Sequence, residues 1–395
     1  MRWSDVSFPA IVAGFLAVLV SFSGPLAIFY QASQIAHLPG DMFTSWVWGI
    51  AIGAGVAGIV LSWRLRTPII TAWSAPGTAL LLTLFPALSL AEAVGAYLAA
   101  AVALLVIGSC GYVDRIMEWI PKGIASGMMA GILLPFGLSA FKSSGSQPVL
   151  VGAMIACYLL GRRAWPRYNI VLLLLGGTLL AWLLGETRFS SIHLELAAPH
   201  LIVPAWSWSA MFSLAVPLVL VTLTGQYLPG IAVLKASGYR TPVRPVIVVN
   251  SLASLAVAPV GGITIAIAAI TAAMCTGRDA HENPDKRYVA GIANGVFYLF
   301  AGSFGGTIVM LFAALPGELV TALAGLALLG PILANLTSLA ADDDHVEASV
   351  ITFLATASGM SLFGVGSAFW GIVIGLAADR ILHRAGAGRK ETKRG

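Results

Sequence analysis

Few side chains in this 395-residue sequence can do chemistry in an apolar setting. The most conspicuous stand in residues 221–239, VTLTGQYLPGIAVLKASGY. Thr222 and Gln226 are four apart and share a helical face, with Gly230 next along it. Such a face offers a hydroxyl and an amide to a polar ligand, while Pro229 and Gly230 interrupt the helix and let another segment approach. A second reading makes Gln226 interhelical glue, worth about 1 kcal/mol in hydrocarbon. The sequence carries no nucleophile–base constellation, phosphate-cradling loop, redox motif or metal-ligand spacing, and so points away from an enzyme.

The elements that must position these residues are membrane spans. The chain is 58% hydrophobic and 10% charged, against about 25% charged in a soluble domain. Apolar stretches of bilayer-crossing length recur at residues 8–30, 44–62, 68–85, 91–110, 123–141, 147–161, 168–184, 209–233, 245–258, 260–277, 288–313, 318–340, 347–360 and 363–379. The expectation is an all-α polytopic membrane protein of fourteen segments, some short or broken; merging two short pairs gives twelve with the same parity. The stretch 8–30 is too long for a signal peptide and leads into further spans. Cys110, Cys157 and Cys275 have neither ligand spacing nor a disulfide pattern and read as packing residues.

Charge sets the orientation. With the N-terminus inside, twenty Lys and Arg fall at one set of ends, from Arg2 and Arg64 to the tail residues Lys393 and Arg394, and two, Lys142 and Arg188, at the other. That asymmetry predicts cytoplasmic termini in a bacterial-type inner membrane. The basic tail reads as an orientation signal in contact with lipid, not as a nucleic-acid site.

The connector at 185–206 divides the chain into two halves of seven spans with opposite orientation, 1–205 and 206–395. Two echoes join the halves. FSGPLAIFYQASQ (22–34) resembles LTGQYLPGIAVLKASG (223–238), and TPIITAWSAPGTALLL (67–82) resembles APVGGITIAIAAITAAM (258–274). Each member of the second pair reads as a short extended segment feeding a half-helix, capped by Ser74 in one case and by Thr264 in the other. Matched broken segments in inverted halves point to a transporter's binding site. A pore can also use half-helices, so a channel stays open as an alternative.

On these residues the sequence resembles the BenE family of benzoate/proton symporters. TGQYLPGIAVLKASGY (224–239) carries most of the likeness, supported by TAWSAPGTALL (71–81), GGITIAIAAITAAMCTG (261–277) and the pair Gly24-Pro25. The likeness runs over essentially the whole chain. Gln is often followed by Asn in that family; Tyr227 follows Gln226 here, which bears on which aromatic acid fits. The resemblance implies a UraA-like seven-plus-seven inverted repeat. Its core domain would span about 8–110 and 209–313 and its gate domain about 123–184 and 318–379, with a homodimer through the gate. Distant nucleobase carriers place glutamates where this chain has Gln226 and the apolar run 263–268. A carboxylate repels a benzoate, whereas a glutamine offers it an N–H, so the chemistry favours an anionic substrate. A nucleobase or inorganic-anion carrier of the same fold remains the alternative.

No Lys or Arg lies mid-span, so the substrate carboxylate implied by the resemblance has no obvious ion-pair partner. Two half-helix N-termini meeting near the midplane supply N–H groups and partial positive charge. Ala75, Pro76 and Gly77 stand at one and residues 263–266, including Ile263, Thr264 and Ile265, at the other. Pro76 has no N–H; Ser74, Thr264 and Gln226 add side-chain donors. Phe29, Tyr30, Trp73 and Tyr227 are candidates for the ring, Tyr30 and Tyr227 foremost. No cofactor is expected, the driving force being the proton gradient. Proton coupling calls for an intramembrane titratable group, and none falls mid-span. Weak candidates lie at span ends, Glu118 and Glu347 among them, and the run Asp342, Asp343, Asp344, His345 reads as a solvated inner loop.

Overall fold

The computed structural model describes residues 5–85, 87–111, 119–166 and 168–391. Helices α1 (Phe8–Ser23), α2 (Pro25–Ile35) and α3 (Gly40–Leu65) precede a strand β1 (Thr71–Trp73) that feeds α4 (Ala75–Leu84). Then come α5 (Leu90–Cys110), α6 (Lys122–Lys142), α7 (Pro148–Ala164) and α8 (Asn169–Leu183). After the connector follow α9 (Trp208–Ala236), α10 (Val243–Val257) and a second strand, β2 (Ile265–Ile267), feeding α11 (Ala269–Thr276). The chain ends with α12 (Tyr288–Ser303), α13 (Gly305–Ala313), α14 (Gly317–Ala340), α15 (Val346–Ala357) and α16 (Ser367–Glu391). Among the described residues seven helices are long and apolar enough to cross a membrane, taking α1 and α2 together. An eighth is added if α12 and α13 count as one span, although they are bent by 71°.

The strands pair antiparallel, Thr71 opposite Ile267, Ala72 opposite Ala266 and Trp73 opposite Ile265. Ser74 N donates to Thr264 O at 2.9 Å and Ala268 N to Ile70 O at 3.0 Å, lengthening the ladder at both ends. Extended chain inside a membrane protein must satisfy its outer edges as well. On the β2 edge Ser254 of α10 accepts from Ile265 N at 2.8 Å. Near β1, Ser62 of α3 both accepts from Ile69 N and donates to Ile69 O at 3.1 Å, and Thr71 Oγ1 donates to Ala54 O at 2.6 Å.

Packing falls into two sets of elements. In one, α3 lies along α12, α10 along α5 and α3, and α1 along α12 and α11. In the other, α6 lies along α14 and α15, α15 along α16, and α7 along α8. The connector straps the first set across one end. Thr307 Oγ1 accepts from Glu195 N, Ala197 N donates to Ser303 O, His200 N to Ser45 Oγ, Ile202 N to Pro259 O and Ala205 N to Ala91 O.

Three expectations are corrected. The helix through Pro229 is not broken: α9 runs on, and two stretches of it, Met211–Ala215 and Leu223–Tyr227, are wound as π-helix. Each π stretch ends two residues before a proline, Pro217 or Pro229. A proline lacks an N–H and its ring collides with the carbonyl four residues back, so a widened turn lets the helix continue. Conversely, the stretch 288–313, read as one span, bends at Phe304. Of the three cysteines, only Cys275 is buried; Cys110 is exposed.

Removing the Ser254 hydroxyl leaves the Ile265 N–H buried and unpaired, a cost of about 1–3 kcal/mol. Ser254→Ala is expected to lower the melting temperature in detergent, while Ser358→Ala, whose hydroxyl is exposed, is expected to leave it unchanged. Equal melting of the two would count against the edge role.

Candidate functional site

The ladder determines where α4 and α11 begin. Ser74 caps α4 as expected, accepting from Gly77 N at 3.0 Å. Thr264 does not cap α11. The β-branched run of residues 263, 264, 265 and 267 stays extended, and the helix starts only after Ala268, whose side chain can make no cap bond. Ile263 and Ile265 are fully buried and Thr264 nearly so. These three therefore precede the helix instead of forming its first turn.

The two N-termini are unequal. At α4 the Ser74 N–H is engaged by Thr264, the Gly77 N–H by Ser74, and Pro76 has none. Ala75 alone retains a first-turn N–H. At α11 the first-turn N–H groups of Ala269, Ile270 and Thr271 have neither a side-chain cap nor an intrahelical acceptor. Nor do the termini meet. Ser74 stands opposite Thr264 and Ala268 opposite Ile70, an offset of four residues, roughly 13 Å at about 3.3 Å per residue. One carboxylate reaches one terminus, not both. The chain opens to solvent at both: Ala75, Pro76, Ala268 and Ala269 are half-buried and Ile270 is exposed, between buried neighbours.

Gln226 lies level with this gap. Leu218 of α9 stands against Gly77, where a Cβ would come within 2.4 Å of Leu218 Cδ1. Eight residues further along α9, about 12 Å at 1.5 Å per residue, Gln226 passes the open end of α4 and reaches the depth of β1. Its neighbours fix its sector: Gly225 abuts Met129 of α6, and the Tyr227 hydroxyl lies 3.5 Å from Ile265 O of β2. Gln226 is 8% exposed and its Oε1 is buried without a partner among the described residues. Thr264 Oγ1 and Trp73 Nε1 are likewise buried and unpartnered. On the same face of α9, the Thr222 hydroxyl is engaged by Leu218 O at 2.6 Å.

The aromatic candidates do not gather here. Tyr30 packs on Phe43 and Phe312, with ring centroids 5.6 and 6.1 Å away. Phe29 stacks on Trp46 at 5.0 Å, and Trp73 meets Phe22 and Tyr298. Tyr227 is buried among Leu61, Ile69, Leu104 and Ile267. Glu347 is exposed in the first turn of α15, and Glu118 lies outside the described residues. The uncapped start of α11 at residues 269–271 was not readable in the sequence, because uncapped amides leave no side-chain signature; the small residues Ala268 and Ala269 are its only trace.

Half-helices fed by paired strands inside a bundle of apolar helices are the architecture of a membrane transport protein. The fold has solved counterparts. The structure described as the overall structure of SLC26A9 matches with a TM-score of 0.65 at 13% identity, over 96% of this chain and 66% of that longer one. The transmembrane domain of a cyanobacterium bicarbonate transporter, BicA, matches with a TM-score of 0.60 at 14% identity, over 95% and 98%. Identities this low speak for fold alone. The chain belongs to the BenE family, described as benzoate membrane transport protein, whose family model matches residues 4–381. It is 54% identical over 378 residues to the benzoate membrane transport protein of Acinetobacter baylyi, covering 96% of each. It is 39% identical over 375 residues to the inner membrane protein YdcO of Escherichia coli, covering 95% of this chain and 96% of that one.

Two substitutions separate cap from ligand group. Ser74→Ala is expected to destabilise the protein by about 1 kcal/mol, read as a lower melting temperature. Thr264→Val removes a hydroxyl that has no partner in the described structure, so melting is expected to hold or rise while solute uptake weakens. Unaltered uptake by Thr264→Val would exclude that hydroxyl from the site.

Proposed function

We propose that this protein imports benzoate or a similar aromatic carboxylate across the inner membrane by proton symport and alternating access. The observation that carries the anion is the uncapped N-terminus of α11: three backbone N–H groups at the positive end of a helix, with no acidic residue in the first turn. The carboxylate takes those N–H groups, the ring extends along the ladder towards the depth of β1, and Gln226 turns its own N–H towards the substrate. Benzoate as the substrate rests on the family and on the printed name of the 54% identical relative.

On this reading the chain is two inverted halves of seven segments, with α1–α2 answering α9 and β1–α4 answering β2–α11. The first packing set acts as a core carrying the site and the second as a gate, through which two copies dimerise. Both termini are cytoplasmic by the distribution of Lys and Arg. A second reading, a small inorganic anion, is favoured by one observation: Tyr30 and Tyr227 are packed away from the gap.

Uptake of labelled benzoate into proteoliposomes, with and without an acid-outside gradient and against a protein-free control, tests the assignment. Saturable uptake stimulated by the gradient, resisting bicarbonate and uracil, is expected; competition by bicarbonate would favour the second reading. Gln226→Ala is expected to raise the half-saturating benzoate concentration about tenfold, the loss of roughly 1.4 kcal/mol. Gln226→Glu, which sets a carboxylate against the substrate, is expected to cost more than Gln226→Ala at neutral pH. The reverse order would remove Gln226 from anion recognition.

A further inference from the structure

The two packing sets touch at one end of the molecule and stand apart at the other. Towards the end that carries Arg66 and Arg287, a cleft of about 790 Å³ separates α9 from α16. Leu220, Ile372 and Leu376 wall it, and it continues to His345 and Arg380. A smaller hollow of about 240 Å³ lies at the same end, between Phe8, Val12 and Leu16 of α1 and Tyr168, which precedes α8. Leu220 stands six residues before Gln226 on α9, about 9 Å at 1.5 Å per residue, so the larger cleft spans the depth of Gln226.

At the connector's end the same two helices are clasped. Ser213 Oγ accepts from Gly366 N at 3.0 Å and donates to Gly364 O at 3.5 Å, and Ser209 Oγ donates to that same carbonyl. The Phe212 and Phe369 rings meet with centroids 5.3 Å apart, and α2 of one set packs along α14 of the other. The partner that α9 grips is a tight turn. Leu362 and Val365 exchange backbone hydrogen bonds of 3.1 and 2.9 Å across Phe363 and Gly364, which are left-handed at φ 54° and 74°. Two positive φ values in a row suit glycine and strain a phenylalanine. Trp370 Nε1 holds the turn by donating to Leu362 O at 3.0 Å. Ser213 itself stands in the π stretch Met211–Ala215, which the proposed binding of the substrate does not use.

We propose that the turn at 362–365 and the first turns of α9 form the outer gate of the transporter, shut here while the opposite end stands open. A substrate arriving from outside must first part Ser209 and Ser213 from Gly364 and Gly366. Hydrogen bonds suit such a contact. Ser209 and Gly364 are exposed, so water takes over their donor and acceptor as they separate, and the net cost of parting is small. Tight apolar packing over the same area would have no such substitute. The strained turn keeps both Gly364 O and Gly366 N presented to α9, which ordinary loop residues would not do. The inference rests on the alternating-access reading above and on its placing of the basic end inside.

The geometry permits a direct test, because a Cβ on Gly366 would lie 3.7 Å from Ser213 Cβ, within the roughly 3.5–4.5 Å that a disulfide spans. The full chain carrying Ser213→Cys and Gly366→Cys, oxidised in proteoliposomes, is expected to lose nearly all benzoate uptake and to regain it on reduction. Either single variant is expected to ignore the oxidant. Cross-linked protein that takes up benzoate as fast as the reduced form overturns the proposal and leaves the function standing. A pair that does not cross-link overturns it too. A second readout needs no transport, and so holds even if wild-type protein takes up no benzoate and the function falls. With Cys110, Cys157 and Cys275 replaced, Leu220→Cys is expected to react with a membrane-impermeant maleimide from the cytoplasmic side and hardly at all from outside. Adding Ser209→Ala and Ser213→Ala is expected to raise labelling from outside several-fold. Labelling from outside that is the same with and without the two alanines overturns the gate.

Discussion

Extended backbone deep inside a membrane protein has no water to complete its hydrogen bonds, and every N–H and C=O left bare costs several kcal/mol. Neither β1 nor β2 can exist alone under that constraint. Each completes the other, and side chains from neighbouring helices complete what the ladder leaves: Ser62 of α3 at Ile69 before β1, Ser254 of α10 beside β2. The close approach this demands explains the small residues around the pair. A Cβ on Gly58 would come 2.8 Å from Thr71 Oγ1, and one on Gly230 would come 2.4 Å from Ile267 Cγ2. The gap and the two helix termini that flank it follow from this pairing, because each strand hands its chain directly to a helix start.

The same constraint shapes α9. A proline at position 229 withholds one N–H, and a clean break would bare several backbone groups at once. The π stretch Leu223–Tyr227 keeps the helix continuous while shifting the sector its side chains face. Gln226 is held in that stretch between α6 and β2. A π stretch is also a costly way to wind a helix, and this one carries the one amide side chain of α9, whose oxygen has no partner among the described residues.

Much of this was legible in the sequence. The strand-then-half-helix reading came from β-branched residues beside proline followed by strong helix formers, and Ser74 was recognisable as a cap because its hydroxyl, its position and the following Pro76 agree. Thr264 carries the same kind of hydroxyl yet is no cap. Its neighbours Ile263 and Ile265 prefer extended chain, and pairing with β1 carries that preference past it to Ala268. Tyr30 and Tyr227 sat beside the right motifs, but adjacency in sequence says nothing about which side of a helix meets which neighbour; Tyr227 turns towards the outer edge of β2. The π turns leave no periodicity to read beyond the prolines that follow them. His345 and Asp379 are 34 residues apart and only the packing of α15 on α16 brings them together.

Helix termini suit an anion that must be let go. A buried Lys or Arg would either lose its charge or hold a carboxylate in an ion pair that is expensive to separate, whereas backbone N–H groups carry a fixed partial charge and nothing to titrate. Among the described residues the one buried charged side chain is Arg287, and it lies at the opposite end of α11. Its guanidinium donates to Thr276 O at 2.7 Å, His281 O at 2.6 Å and Glu282 O at 3.2 Å. It thereby stabilises the negative end of the helix and ties the loop that follows it. One half-helix thus has its C-terminal end fastened by a permanent cation and its N-terminal end uncapped, as the proposed anion site requires. A full charge is tolerated where it never has to let go, and partial charges serve where release is part of the task.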